Sequence, residues 1–456
     1  MAEHSSSSPY ESASFGITES TNSEIVTLFE HLQQLQPMDK NGPMSDRCGP
    51  QTEQMEKFLK NTFGFQNILG EYIVQGVKAF QLDKHPESMS LDEKIQFPSD
   101  TADSFAMTVQ EIIDWQRSYK VYADQHIKGM TEEFLQKALQ GQSEDGEEAF
   151  RMKFVVRIST CPILMEFDAK IIQRNLDEDW PHRIKLVSVT GIDFAGRKHD
   201  VGDILYFISN WRDVFKEDEK SGMPLVHHRD FIPKPNGSIA KLCEERLRES
   251  LTRMVKIRLR ACDEEGLQVL VETGIGLGVF SGSDIGIDGK VRAHSAKAIR
   301  RVLEEDGSSY KNIRAIVLAL PVFSRGESNN RIPNTFDDFV NEFKSKYTGC
   351  IPVLIADQDM HRLTVAIARA GFTVSELNPA DSHGVFGEYW QNRGPAVEEK
   401  LALTTVGLLV QHHLINPHVL KSENYHLLDV SEGQILDMHT SFLDDNKTVG
   451  SCCFPQ

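Results

Sequence analysis

The chain has 456 residues, of which 40% are hydrophobic and 25% charged, and a formal net charge of −18. That length allows two or three units with one sizeable core, and the excess of acid argues against a nucleic-acid partner unless a basic face is segregated. No stretch reaches the roughly 18 uninterrupted apolar residues of a membrane span, no basic-then-apolar leader opens the chain, and the scattered cysteines lack CxxC or paired-His spacing; the expectation is a cytoplasmic or nuclear protein with no disulfide framework, metal site or bound cofactor.

Residues 1–52 are rich in Ser, Glu, Gln, Gly and Pro, a composition that buries too little surface to offset ordering entropy. They read as a disordered leader around one amphipathic patch, "EIVTLFEHLQQL", which forms a helix only transiently. From 53 to 148, the stretches "TEQMEKFLKNTF", "ILGEYIVQGVKAF", "DSFAMTVQEIIDWQRSYKVYADQHI" and "MTEEFLQKALQ" place apolar residues three and four apart, predicting a small helical module. A domain over 149–435 begins at the acidic break "GQSEDGEE", where the period changes to two. There "FRMKFVVRIST", "FDAKIIQRNL", "RIKLVSVTGIDF" and "DILYFIS" predict strands.

From 238 onward helices and strands alternate: helix 239–261, strand 267–272, helix 291–304, strand 313–319, helix 335–346, strand 351–355, helix 359–370, strand 372–377 and helix 395–411. Strands such as "IRAIVLAL" and "IPVLIA" are apolar at nearly every position, as in a sheet covered on both faces. The fold class is therefore α/β, a mostly parallel sheet sandwiched by helices, and 436–456 is read as a flexible tail. In the first helix of this run, Arg246, Arg248, Arg253, Lys256, Arg258 and Arg260 accompany a helically spaced apolar stripe, so these cations are expected on the solvated face.

In such sheets ligands sit outside the carboxyl ends of the strands, which singles out three loops. The first, "TGIGLGVFSG", contains Thr273, Gly274, Ile275, Gly276, Leu277, Gly278, Val279 and Phe280; it is either a tight turn or an anion cradle of backbone N–H groups. It is not a Walker loop, because no Lys-Ser/Thr follows, and it fits the dinucleotide spacing badly. The second is Asp357-Gln358-Asp359, where Asp357 either accepts from an adenine amino group or belongs to a helix cap. The third runs from Asn378 and Asp381 through Tyr389 to Gly394, followed by a helix whose first turn carries Glu398 and Glu399; those acids suit the helix dipole even without a function.

Together these loops resemble those of macrodomains, in which an Asp after a strand holds adenine, an Asn-containing turn holds the distal ribose, and a Gly-x-Gly-x-Gly-x-Phe loop wraps the diphosphate of ADP-ribose. The resemblance covers about 260 to 412, roughly a third of the chain. The diphosphate loop precedes the other two here, whereas it comes last in ordinary macrodomains, which implies a permuted connection; Asp381 also replaces the usual second Asn. The "AVEEKL" helix start is similar to the paired-acid signature of poly(ADP-ribose) glycohydrolases, and the loop style resembles bacterial-effector macrodomain enzymes that strip ADP-ribose from ubiquitin.

The resemblance implies an ADP-ribosyl hydrolase acting on an ADP-ribosylated protein, with an arginine linkage favoured and ubiquitin a candidate substrate. Glu398 and Glu399 are the implied catalytic acids. Adjacent helical residues point about 100° apart, so the second working carboxyl is sought at Asp284 or Asp288, beyond the glycine loop. The alternative is a reader that binds ADP-ribose through the same loops without cleaving it.

Overall fold

The computed structural model describes residues 12–37, 88–96, 106–140, 148–162, 183–195, 200–227, 230–235, 237–322, 334–379 and 416–438. In chain order the amino-terminal elements are β1 (Ala13–Phe15), α1 (Ser23–Gln33), β2 (Lys94–Gln96), β3 (Ala106–Thr108), α2 (Val109–Arg117), β4 (Lys120–Asp124), α3 (Glu132–Leu139), α4 (Glu148–Met152), β5 (Val155–Pro162) and β6 (Arg183–Val189). The chain continues through α5 (Val201–Phe207), α6 (Trp211–Val214), β7 (Val226–His227), β8 (Asp230–Phe231), α7 (Glu244–Glu264), β9 (Val269–Thr273), α8 (Asp288–Glu305) and β10 (Ala315–Ala319). It then forms α9 (Thr335–Lys346), β11 (Val353–Ala356), α10 (Met360–Arg369), β12 (Val374–Pro379) and β13 (Tyr425–Leu428).

Among the described residues, nine strands form one sheet in the order β1-β11-β10-β9-β12-β6-β5-β4-β13. Its centre, from β11 to β6, is parallel throughout, while β1 pairs antiparallel with β11 and β5 is antiparallel to both β6 and β4. Every residue of β10 and β11 is buried, which is why their sequences are continuously apolar rather than alternating. Helices cover both faces. Arg258 of α7 reaches Glu272 of β9, and α8 packs between α7 and α9; on the other face His361 of α10 reaches Glu376 of β12, and α1 packs on α10. Glu376 is paired in register with Val271, the neighbour of Glu272, so the two contacts lie on opposite sides of the sheet.

Connectivity matters more than composition here. From β9 the chain steps outward to β10 and β11, then crosses back through α10 to place β12 on the other flank of β9. The strand order therefore reverses between β9 and β12, the topological switch point at which open α/β sheets form a crevice.

Four expectations are revised. The stretch expected to stay unordered supplies β1 and α1, because Ile25, Leu28, Phe29 and Leu32 recur at helical spacing and all four are buried. The stretch read as wholly helical near 104–127 divides into β3, α2 and β4: Ser118 caps α2, and Val121 to Asp124 are buried as an internal strand of the sheet. "DILYFIS" forms helix α5, since Asp203, Ile204, Tyr206 and Phe207 are buried at spacings of three and four; a short apolar run alone does not separate the two periods. Finally, Arg253 and Arg258 point inward from α7 to buried carboxylates instead of facing solvent.

Among the described residues, no helix is long and apolar enough to cross a membrane.

Candidate functional site

Parallel pairing aligns the strand ends. Thr273 lies opposite Ala319, and Ala319 opposite Ala356, so the glycine loop and the Asp357 loop leave the sheet at one level. On the other flank, the β12–β9 register pairs Glu376 with Val271, and two residues further along β12 Asn378 reaches the level of Thr273. Loops separated by about a hundred residues in sequence thus open on one edge.

The glycine loop turns sharply after Thr273. Gly276 has φ +72°, and a Cβ there would meet the Ile192 carbonyl at 3.0 Å, so both conformation and space require glycine. Gly278 differs: a Cβ there would meet nothing within 4 Å among the described residues. Within the loop, the Ile275 amide donates to the Thr273 carbonyl and the Leu277 amide to the Gly274 carbonyl, whereas the amides of Gly276 and Gly278 have no acceptor among the described residues. Unpaired backbone donors at a strand's carboxyl end are what an anion cradle requires. Val279 and Phe280 follow in a short 3-10 turn, Val279–Ser281, with Phe280 half-buried.

The loop is held from behind by a segment that sequence reasoning did not single out. Gly191, just beyond β6, packs backbone to backbone on the loop: a Cβ there would meet Ile275 Cγ2 at 3.0 Å and the Gly276 nitrogen at 3.2 Å. The Phe194 amide donates to the Phe280 carbonyl at 3.0 Å. The signal was a glycine at the end of a predicted strand, in "VTGIDF", which marks close backbone approach. Beneath the loop, Arg258 donates from Nε and Nη2 to the two oxygens of Glu272 at 2.7 and 2.6 Å, anchoring α7 to the last turn of backbone before the glycines. A small cavity lies there, lined by Ile192, Met254, Arg258, Ile275 and Ser295 among others; at about 40 Å3 it has room for a few waters, not a nucleotide.

The acids divide by environment. Asp288 is committed to Arg292 at 2.5 Å, and Arg292 also donates to Asp338 at 2.6 Å, tying the first turn of α8 to α9. Asp284 is exposed in the turn Ser283–Ile285 that follows the loop. Asp359, not Asp357, caps α10, accepting from the Arg362 amide at 2.8 Å. Asp357 is buried and accepts the Val322 amide at 2.8 Å, so it also organises the chain leaving β10. Close by, His361 Nδ1 donates to Glu376 Oε2 at 2.7 Å, both side chains buried. Burial, reinforced by the Glu376 carboxylate, pushes the Asp359 carboxyl up, against the opposing pull of its hydrogen bond from Arg362 and of His361.

No family model matches the chain, and no curated protein shows significant similarity to it.

The structure therefore brings Thr273, Gly274, Ile275, Gly276, Leu277, Gly278, Val279, Phe280, Asp357 and the backbone of Asn378 to one edge, with Asp284 and Asp288 following the glycine loop. Asp381, Tyr389, Gly394, Glu398 and Glu399 lie outside the described residues.

Proposed function

We propose that this chain removes ADP-ribose from a protein side chain, and that the crevice between β9 and β12 holds the nucleotide sugar. One observation carries the reading: a glycine loop whose Gly276 and Gly278 amides have no acceptor among the described residues stands at the topological switch point, beside the strand that delivers Asn378. The likeness to macrodomains supplies the ligand. In that reading the diphosphate rests on the glycine amides, Phe280 lies beside the ribose and Asp357 meets the adenine amino group. The permuted chain order is compatible with it, because β9 and β12 are sheet neighbours although β10, β11 and helices α8 to α10 come between them in sequence.

Cleavage at the anomeric carbon of the distal ribose passes through an oxocarbenium-like state, which needs one carboxyl to assist the leaving group and another to orient water. Glu398 and Glu399 are assigned to this work, with Asp284 as the partner from the glycine loop. Asp288 is the weaker choice, since its carboxylate is engaged by Arg292. In this reading Glu398, Glu399 and Asp284 would line the crevice with acid, which suits a cationic arginine linkage, and ADP-ribosylated ubiquitin is a candidate substrate.

Incubating the purified protein with an arginine-ADP-ribosylated protein should release the label, while Glu399→Gln and Asp284→Ala release it at least a hundredfold more slowly. Binding of ADP-ribose without release would favour a reader module; failure to bind ADP-ribose at all would end both readings.

A further inference from the structure

Behind the segment that backs the glycine loop lies a buried ion cluster that the proposed reaction does not use. Lys153, just before β5, and Asp203, on α5, each have side chains only 1% exposed, and Lys153 Nζ lies 3.1 Å from Asp203 Oδ2 and 3.3 Å from Asp200 Oδ1. Lys153 Nζ also donates to the Ala149 carbonyl at 3.0 Å. The same Asp203 oxygen that faces the lysine accepts the backbone amide of Asp193 at 2.8 Å. Asp193 is flanked by the two residues that touch the loop: Ile192, whose carbonyl stands 3.0 Å from where a Gly276 Cβ would be, and Phe194, whose amide donates to the Phe280 carbonyl.

This arrangement is poorly explained as fold stabilisation. A buried ion pair rarely outperforms apolar packing of the same volume, and Asp203 Oδ1 is buried with no hydrogen-bond partner among the described residues, which adds a desolvation cost. Geometry explains it better. A charge-assisted bond fixes the height and direction of one amide, and that amide lies in the short segment against which both ends of the glycine turn are braced.

We propose that Lys153 and Asp203 are positioning residues: through the Asp193 amide they hold the 191–194 segment against the glycine loop, and so set the direction of the Gly276 and Gly278 amides that receive the ligand's diphosphate. The assignment rests on reading the loop as an anion cradle. Burial pushes the Asp203 carboxyl up towards neutrality against the pull of Lys153, which fits a carboxylate kept for its contacts rather than for solvation.

The test compares the full-length protein with Asp203→Asn, Lys153→Met and Lys153→Arg by hydrogen–deuterium exchange and by calorimetric titration with ADP-ribose. Asp203→Asn and Lys153→Met should speed exchange of the hydrogen-bonded amides of Phe194, Ile275, Leu277 and Ser281 at least tenfold and weaken ADP-ribose at least tenfold, with exchange in β10 and β11 unchanged. Lys153→Arg should restore both. Should the first two variants fail to fold, Gly191→Ala probes the same brace without touching the ion pair, and is expected to produce the same local exchange and loss of affinity. Unchanged loop exchange, or faster exchange spread evenly over β9 to β12, would overturn the assignment. The two readings fail separately: a wild-type protein that ignores ADP-ribose but whose loop responds to Asp203→Asn loses the ligand and keeps the brace, whereas tight ADP-ribose binding with an indifferent loop does the reverse.

Discussion

Glu265 shows what one residue contributes away from the candidate site. It follows α7 at the amino edge of the sheet and accepts hydrogen bonds from Lys120 Nζ at 2.8 Å, Tyr122 Oη at 2.6 Å and Lys185 Nζ at 2.8 Å. Burial alone would raise its carboxyl, but these donors overcome it and hold the group down at about 2. The folded value lies below that of an unfolded glutamate, so the stabilisation is fully present above the unfolded value, near pH 4 to 5, and is lost as pH falls towards 2. A shift of this size corresponds to at most about 3 kcal/mol. Urea denaturation at pH 7 and pH 3 should show a large loss for the wild type and a much smaller further loss for Glu265→Gln, which is already weakened at pH 7. Equal losses in both would remove Glu265 from the acid response. Nothing in the sequence around "DEEGLQ" distinguishes Glu265 from its acidic neighbours, because its partners come from β4 and β6, 80 to 145 residues away.

At the scale of elements, α7 was legible as a helix but not as to which of its cations face inward. The apolar stripe predicted its length to within a few residues, with Leu247, Met254, Val255 and Leu259 buried as expected. Arg258 interrupts that stripe and is tolerated because Glu272 lies opposite it on β9; a helix considered alone contains no information about that partner. Replacing Arg258 by Met should destabilise the protein by about 3–5 kcal/mol, because an unpaired carboxylate is left buried. The double replacement Arg258→Met with Glu272→Met should recover most of the loss. Chemical denaturation of the three variants as a double-mutant cycle measures this, and additive losses would show that the pair does not act as a unit.

The whole molecule depends on the residues that precede its parallel strands. β1 closes the free edge of β11, and α1 packs Ile25, Leu28, Phe29 and Leu32 against the α10 side of the sheet. Burying four such side chains contributes on the order of 6–12 kcal/mol, an upper figure because the unfolded chain is already partly collapsed. Removing residues 1–37 should therefore lower the thermal midpoint by more than 10 °C and promote self-association through the exposed edge of β11. Calorimetry and size-exclusion chromatography test this; a truncated chain that stays monomeric with an unchanged midpoint would show that these elements are dispensable.

The sequence by itself determined the alternation of helices and strands from α7 to β12, the continuous burial of β10 and β11, and the glycine loop as a place of close backbone approach. These properties are local: each follows from a period or a residue type within one window. The tertiary structure alone decided that β12 returns to the flank of β9, that Arg253 and Arg258 face inward, that Gly191 packs on the glycine loop, and that Lys153 meets Asp203 behind it. Strand ladders use the same backbone bonds whichever strands they join, and a buried charge is defined by a partner far away in the chain, so neither leaves a local pattern to read.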